Sequence, residues 1–259
     1  MKVNLHTHTY RCGHANGEDR EYIENAIENG IKVLGFSDHS PFVFPDGYES
    51  PHRVPMAQAR EYVESIKALR EEYKDKIEIK IGFEMEYYPL YFKDMLRTVK
   101  EIGAEYLIMG EHYLRNELPE KRNSMSSRFI NDEKDLCDYV DAVCEGIATG
   151  VFTYVAHPDM VLYDINDPIY SSQMRRICET AKTYGVPLEI NLQGVRLDRQ
   201  YPNEVFWKLA GDVGCDVVIG SDAHSPKETY DEKSLKIAMR LIEKYELKHI
   251  KEPKTVSLS

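Results

Sequence analysis

Six short apolar runs, Val3–Leu5, Ile31–Phe36, Ile77–Ile81, Tyr106–Met109, Phe152–Val155 and Val217–Ile219, are each followed within three residues by an imidazole or a carboxylate. The followers are His6-Thr7-His8, Asp38-His39, Glu84, His112, His157 and Asp222-Ala223-His224, with His14 in the loop after the first run. Seven of the nine histidines belong to this set. A chain that delivers one residue type to the same end of unrelated strands needs those ends gathered on one side. A parallel sheet with its chemistry at the carboxyl ends of the strands does that.

The segments between the runs have helical spacing. Asp19–Asn29 places Tyr22, Ile23, Ala26 and Ile27 on one face before Gly30. Pro55–Lys74 carries the stripe Ala57, Ala59, Tyr62, Val63, Ile66 and Leu69. Tyr91–Ile102, Glu133–Thr149, Ile169–Tyr184, Glu204–Val213 and Glu232–Tyr245 continue the alternation, with a further strand at Pro187–Asn191 and the last run widened to Asp216–Gly220. Ser40–Val54 and Tyr113–Ile130 read as long irregular loops, a length usually tied to function or disorder. Seven β-α units result. An open doubly wound sheet would concentrate ligands at its switch point, whereas here nearly every strand end is used, so a closed or nearly closed barrel is expected. No linker or repeat divides the 259 residues, which predicts one domain over 1–259.

The ligand chemistry follows from geometry. Residues two apart on an extended strand share a face, so His6 with His8, and Asp222 with His224, can act as pairs. Neutral imidazole and carboxylate suit zinc, manganese or iron. The set exceeds the three protein ligands of an ordinary catalytic zinc, which points to two or three divalent ions. Cys12 lies near His14 but reads as a bystander, and Cys137 and Cys144, seven apart on one helix, are expected to face the core.

Thirty-three basic against 44 acidic residues give a net charge of −11, which disfavours nucleic acid or an anionic membrane as partner. No apolar run reaches the ~18 residues of a membrane span, and a ligand at position 6 leaves no room for a cleaved leader. Five cysteines without a CxxC pair fit the same expectation, a cytoplasmic protein. The oligomeric state is not legible.

In its order and spacing, the set His6-x-His8, His14, Asp38-His39, Glu84, His112, His157, Asp222-x-His224 resembles the polymerase-and-histidinol-phosphatase (PHP) superfamily over essentially the whole chain. That resemblance implies an α/β fold, a distorted seven-stranded (β/α)7 barrel, with a trinuclear centre at the C-terminal ends of the strands. It implies that His6, His8, Glu84 and Asp222 hold one ion, Glu84, His112 and His157 a second, and His14, His39 and His224 a third. Asp38-His39-Ser40-Pro41, Ala156-His157-Pro158, Gly194-Val195-Arg196 and Tyr201-Pro202 resemble the stand-alone histidinol-phosphate phosphatases of histidine biosynthesis. Gly110-Glu111-His112 departs from the small residues that some relatives carry before that histidine.

The expected reaction is hydrolysis of L-histidinol phosphate by a metal-activated water, with Glu84 and Asp222 as catalytic ligands. Arg196, after the strand that supplies no ligand, is the expected phosphate-binding and catalytic guanidinium. His52, Arg53, Arg128 and Lys227 are further candidates for phosphate, and Glu111, Asp159 and Asp198 for the ammonium and imidazole of the substrate. Phe42, Phe44 and Tyr48 are placed to cover the ligand or to pack on the rim. The same site could act on another small phosphomonoester, a nucleotide or a phosphotyrosine peptide. A non-catalytic scaffold would be expected to carry broken ligands, and this set is complete.

Overall fold

The structure, a computed structural model, describes residues 1–118, 130 and 132–258. Strand and helix alternate: β1 Val3–Asn4, α1 Asp19–Glu28, β2 Val33–His39, α2 Ala59–Tyr73, β3 Glu78–Met85, α3 Phe92–Ile102, β4 Tyr106–Met109, α4 Glu133–Ala148, α5 Pro168–Tyr184, β5 Leu188–Asn191, α6 Leu192–Arg196, α7 Glu204–Val213, β6 Asp216–Gly220, α8 Glu232–Lys244 and β7 Lys248–His249. All pairings between these strands are parallel, in the orders β1-β2-β3-β4 and β5-β6-β7, and the sheet curls. Parallel neighbours require crossovers, and the helices supply them.

Local chemistry sets the helix ends. The Asp167 side chain accepts from Ile169 N, Pro168 opens α5, and Gly185 closes it in the left-handed region. Asn203 and Asp231 cap α7 and α8 in the same way. The helix expected from Pro55 begins four residues later, after a 3-10 turn at Met56–Gln58.

Two differences from the expected pattern matter. Regular pairing in the expected strand Phe152–Val155 is reduced to single bridges, Met109 to Val155 and Val155 to Leu188. Around them Thr153 N donates to Leu107 O (2.8 Å) and Glu189 N to Val155 O (2.9 Å), so the segment still links the two sheet pieces. Two elements, α6 and β7, were not anticipated, because five and two residues are too short to display a period.

Apolar side chains pack in two places. The larger cluster lies between strands and helices and includes Leu34, Phe36, Tyr62, Ile81, Tyr139, Ile177, Leu188 and Trp207. The smaller joins Val3, Leu5, Tyr106, Ile108, Tyr154, Ala156 and Val218 from strands of both sheet pieces. Tyr106 spans it, its hydroxyl donating to Leu5 O (2.9 Å) and Phe36 O (3.2 Å). Its side chain occupies the room left by Gly35 and Gly82, where a Cβ would stand 2.2 Å from the hydroxyl and 2.5 Å from the ring. Cys137 and Cys144 are half-buried, with Leu136, Tyr139, Val140 and Val143 taking the inner face of α4; Cys144 packs against the larger cluster, as expected. Among the described residues, no helix is long and apolar enough to cross a membrane.

Candidate metal centre

Beyond β1 the chain stays extended. Thr7 bridges to Ala223, and His8 N donates to Ala223 O (2.9 Å), so the ends of β1 and β6 lie side by side. Asn4 Oδ1 accepts from both His6 N and Ser221 N (3.2 Å each), which fixes their register. His6 and His8 therefore share a face and meet Asp222. In the β2–β3 ladder His39 is paired with Glu84. His157 and Asp222 turn out of the strand path with φ of 33° and 48°. Such backbone costs about 1–3 kcal/mol for a non-glycine residue and persists where the surroundings hold it. Here it brings His157 to Glu84 and Asp222 to His6 and His8.

Glu84 is the hub. Its carboxylate lies 2.8 Å from His157 Nε2, 3.2 Å from His39 Nδ1, 3.5 Å from His112 Nε2, and 3.6 Å from both His6 Nε2 and His8 Nε2. Asp222 Oδ1 is 3.1 Å from His8 Nε2 and 3.6 Å from His6 Nε2. Gly110 makes room for the hub: a Cβ there would stand 2.0 Å from Glu84 Oε1. Gly110 is therefore a steric allowance for Glu84, and the residue that departs from the small pattern is the buried Glu111.

The donor set fits cations. Glu84 Oε2 and Asp222 Oδ1 are buried without a hydrogen-bond donor, and His6 Nε2 and His8 Nε2 face each other at 3.2 Å. Buried lone pairs aimed at one point are costly unless positive charge sits there. Donor atoms lie within 4.8 Å of one another in the groups His6-His8-Asp222, His6-Glu84-His157, His39-Glu84-His112 and His8-His39-His224. Cys12 and Asp38 form another such group with His8, and the buried Cys12 thiol donates to Thr9 O (3.2 Å). His14 stands beside these groups, its ring 5.2 Å from that of His39 and 5.0 Å from that of His224.

The electrostatics agree. Burial resists charge on Glu84 and Asp222, yet the surrounding imidazoles hold both carboxyls well below the usual range. Burial likewise opposes charge on His6, but Glu189, Asp222 and Glu84 push it up to about 10. Burial and the His8 charge push His224 down to about 3. The pocket attracts positive charge but does not accept a proton on every ring.

A second layer of carboxylates stands behind three of the rings. His6 Nδ1 meets Glu189 (2.8 Å), His8 Nδ1 meets Asp38 (3.3 Å) and His112 Nδ1 meets Glu86 (2.8 Å). With Nδ1 engaged, Nε2 of each ring points toward Glu84 or Asp222. Glu86 is itself paired with the buried guanidinium of Arg53, which also reaches Glu117 (2.5 Å) and Ser40 O (2.7 Å).

Several expected substrate contacts sit elsewhere. Arg53 is committed to that buried network and is not available to phosphate. Arg196 donates to the carbonyls of Ser221 (3.1 Å) and Asp222 (3.0 Å) and lies beside Glu228 and Asp231, so it braces the turned Asp222 segment from behind. Asp159 accepts from Asn203 N (2.7 Å) and Trp207 Nε1 (3.0 Å), fastening the loop after His157 to α7, and burial pushes its carboxyl up to about 7. Glu111 is buried, accepts from Tyr87 N (2.9 Å), and burial raises its carboxyl well above the usual range. His52 is exposed, its ring 5.8 Å from that of His14. Phe42 and Phe44 pack on each other and on Tyr91. Arg128 lies outside the described residues.

A cavity of about 340 Å³ opens over the cluster, lined by His8, His14, His39, Glu84, His112, Asp222 and His224 together with Met160, Gln193, Leu197, Arg199 and Tyr201. Among the described residues the arginine that lines it is Arg199, three residues beyond the expected one. Helix α6, capped by Asn191, carries Arg196 behind the site, and the left-handed Asp198 (φ 51°) precedes Arg199 at the rim.

Comparisons with known proteins agree with this arrangement. A family model described as the PHP domain matches residues 4–193. A protein named probable histidinol-phosphatase from Deinococcus radiodurans is 30% identical over 235 residues, covering 86% of each chain. The histidinol-phosphatase of Bacillus subtilis is 25% identical over 256 residues, covering 86% of this chain and 94% of that one. The crystal structure of histidinol phosphate phosphatase from Lactococcus lactis, complexed with zinc, L-histidinol and phosphate, superposes with a TM-score of 0.73 at 20% identity, covering 99% of this chain and 97% of that one.

Proposed function

The chain belongs to the PHP domain family, and on that premise we propose that it is a metal-dependent phosphatase that hydrolyses L-histidinol phosphate to L-histidinol and phosphate. The observation that carries the proposal is the convergence of His6, His8, His39, His112 and His157 on Glu84, with Asp222 on the same His6 and His8 rings, beneath a cavity with Arg199 at its rim. His6, His8 and Asp222 would hold one ion, Glu84 with His112 and His157 a second, and His39 and His224 with His14 a third. When bound, such ions supply positive charge to the phosphoryl oxygens and a water nucleophile of lowered pKa.

The protein's own groups do the rest. Arg199 has a guanidinium fork suited to two phosphate oxygens and stands where the cavity meets solvent. Tyr201 and Met160 form the wall of the cavity and limit water access, and Gln193, hydrogen-bonded to His224 Nδ1 (2.8 Å), fixes that ring. Arg196 holds the Asp222 turn.

The proposal includes one unit over residues 1–259 and one distorted seven-stranded barrel. The Val155 bridges on one side and the Thr7–Ala223 bridge on the other support the barrel. It also includes a cytoplasmic location, in keeping with five free cysteines.

A substrate panel tests the activity. Metal-loaded protein is expected to turn over histidinol phosphate with a kcat/KM well above that for an aryl phosphate, a nucleotide or a phosphotyrosine peptide. Equal rates on the aryl phosphate would overturn the substrate assignment.

A further inference from the structure

We propose that Glu189, on β5, a strand whose end supplies no metal ligand, is the positioning residue that sets the tautomer of His6 and locks His157 and Asp222 around it. The inference rests on the metal-centre reading and goes beyond it by giving β5 a role in the chemistry.

Glu189 is fully buried. One carboxylate oxygen lies 2.8 Å from His6 Nδ1. The other accepts from the backbone N–H of His157 (3.1 Å) and from Asn191 Nδ2 (2.9 Å). The same Asn191 amide donates to Asp222 Oδ2 (3.1 Å). One buried anion thus touches a ligand ring, the backbone of a second ligand held at positive φ, and a third ligand through one amide. Among the described residues no lysine or arginine pairs with it, so its desolvation is offset only by these donors. Room is reserved for it as well: a Cβ on Gly220 would come within 1.7 Å of its Oε1. A substitution at Gly220 therefore displaces Glu189 before it disturbs anything else close by.

The hydrogen-bond inventory shows what the charge does. A carboxylate accepts at both oxygens, so His6 must present Nδ1–H to it and keep Nε2 for a metal. A glutamine of the same shape cannot accept at both ends. Keeping its oxygen toward His157 N turns its NH2 on His6 Nδ1, which forces the proton to Nε2 and spoils the ligand. Keeping its oxygen toward His6 sets NH2 against the N–H of His157. A purely structural brace between β5 and its neighbours would tolerate that exchange with little effect on metal binding.

The test is a Co2+ titration followed by visible absorption, with near-UV circular dichroism of the same samples. Wild-type protein is expected to bind at least two equivalents. Glu189→Gln with wild-type dichroism is expected to bind one of them roughly 10- to 100-fold more weakly. Unchanged Co2+ affinity in a folded Glu189→Gln protein overturns the inference and leaves the metal centre standing. Absence of Co2+ binding by the wild type overturns the metal centre itself. Should the variant lose its dichroism, long-range 1H–15N correlation of the imidazoles in zinc-loaded wild type decides. His6 protonated at Nδ1 supports the assignment, and His6 protonated at Nε2 refutes it.

Discussion

Replacing Gly110 with alanine places a single methyl group against the hub of the site. The new Cβ would lie 2.0 Å from Glu84 Oε1, so the carboxylate must retreat by about 1.4 Å to reach the 3.4 Å at which ordinary contact begins. Gly110 is not at positive φ, so alanine adds no backbone strain and the wedge acts on Glu84 alone. Metal–ligand distances tolerate only about ±0.2 Å, and Glu84 stands within 3.6 Å of five imidazoles, so the displacement is expected to remove at least one ion. Activity should fall by roughly 100-fold or more. Overpacking costs about 1–3 kcal/mol, which lowers Tm by roughly 2–12 °C and leaves the protein folded at room temperature. Metal content by plasma mass spectrometry, kcat/KM and thermal unfolding on one preparation separate these effects. A folded Gly110→Ala protein with a full metal complement and about wild-type activity would refute the placement of Glu84.

Further expectations concern neighbouring groups. Arg199→Ala should lower kcat/KM by about tenfold or more with unchanged metal content, whereas Arg196→Ala should weaken metal retention through the Asp222 turn; the reverse pattern would restore Arg196 as the phosphate contact. Arg53→Met strands the buried Glu86 and Glu117 carboxylates and should cost about 3–5 kcal/mol, read as a lower Tm of both the metal-free and loaded protein; an unchanged Tm would remove Arg53 from the framework. Because His6 is pushed up to about 10, it is protonated at pH 8 in the metal-free protein, and a metal must expel its Nε2 proton. Metal binding at pH 8 should therefore release at least one proton per chain and weaken as pH falls, and calorimetry showing no dependence on buffer ionisation heat would contradict this.

The side chains that cluster around Glu84 were legible in the sequence because imidazoles are scarce and apolar runs ended just before them, so a period and a residue type coincided. The second layer was not. Glu189 and Glu86 sit one or two residues from strand ends and read in sequence like solvated carboxylates; only a parallel sheet covered on both faces puts Glu189 inside. The sequence pointed to Arg196 and not to Arg199, because a five-residue helix and one left-handed residue decide which arginine meets the cavity. Phe152–Val155 promised a full strand, and the structure keeps it regularly paired only at Val155, where β4 and β5 both reach it. Arg53 read as a loop charge for phosphate and Asp159 as one for the ammonium or imidazole of the substrate, and each instead ties a loop to the framework.

The central claim is that several cations gather around Glu84 and are needed for hydrolysis. Metal equivalents per chain, measured in protein purified without chelator alongside its rate on histidinol phosphate, test this most directly. At least two equivalents are predicted, with activity lost on chelation and regained when metal is returned; full activity with fewer than two would contradict the account.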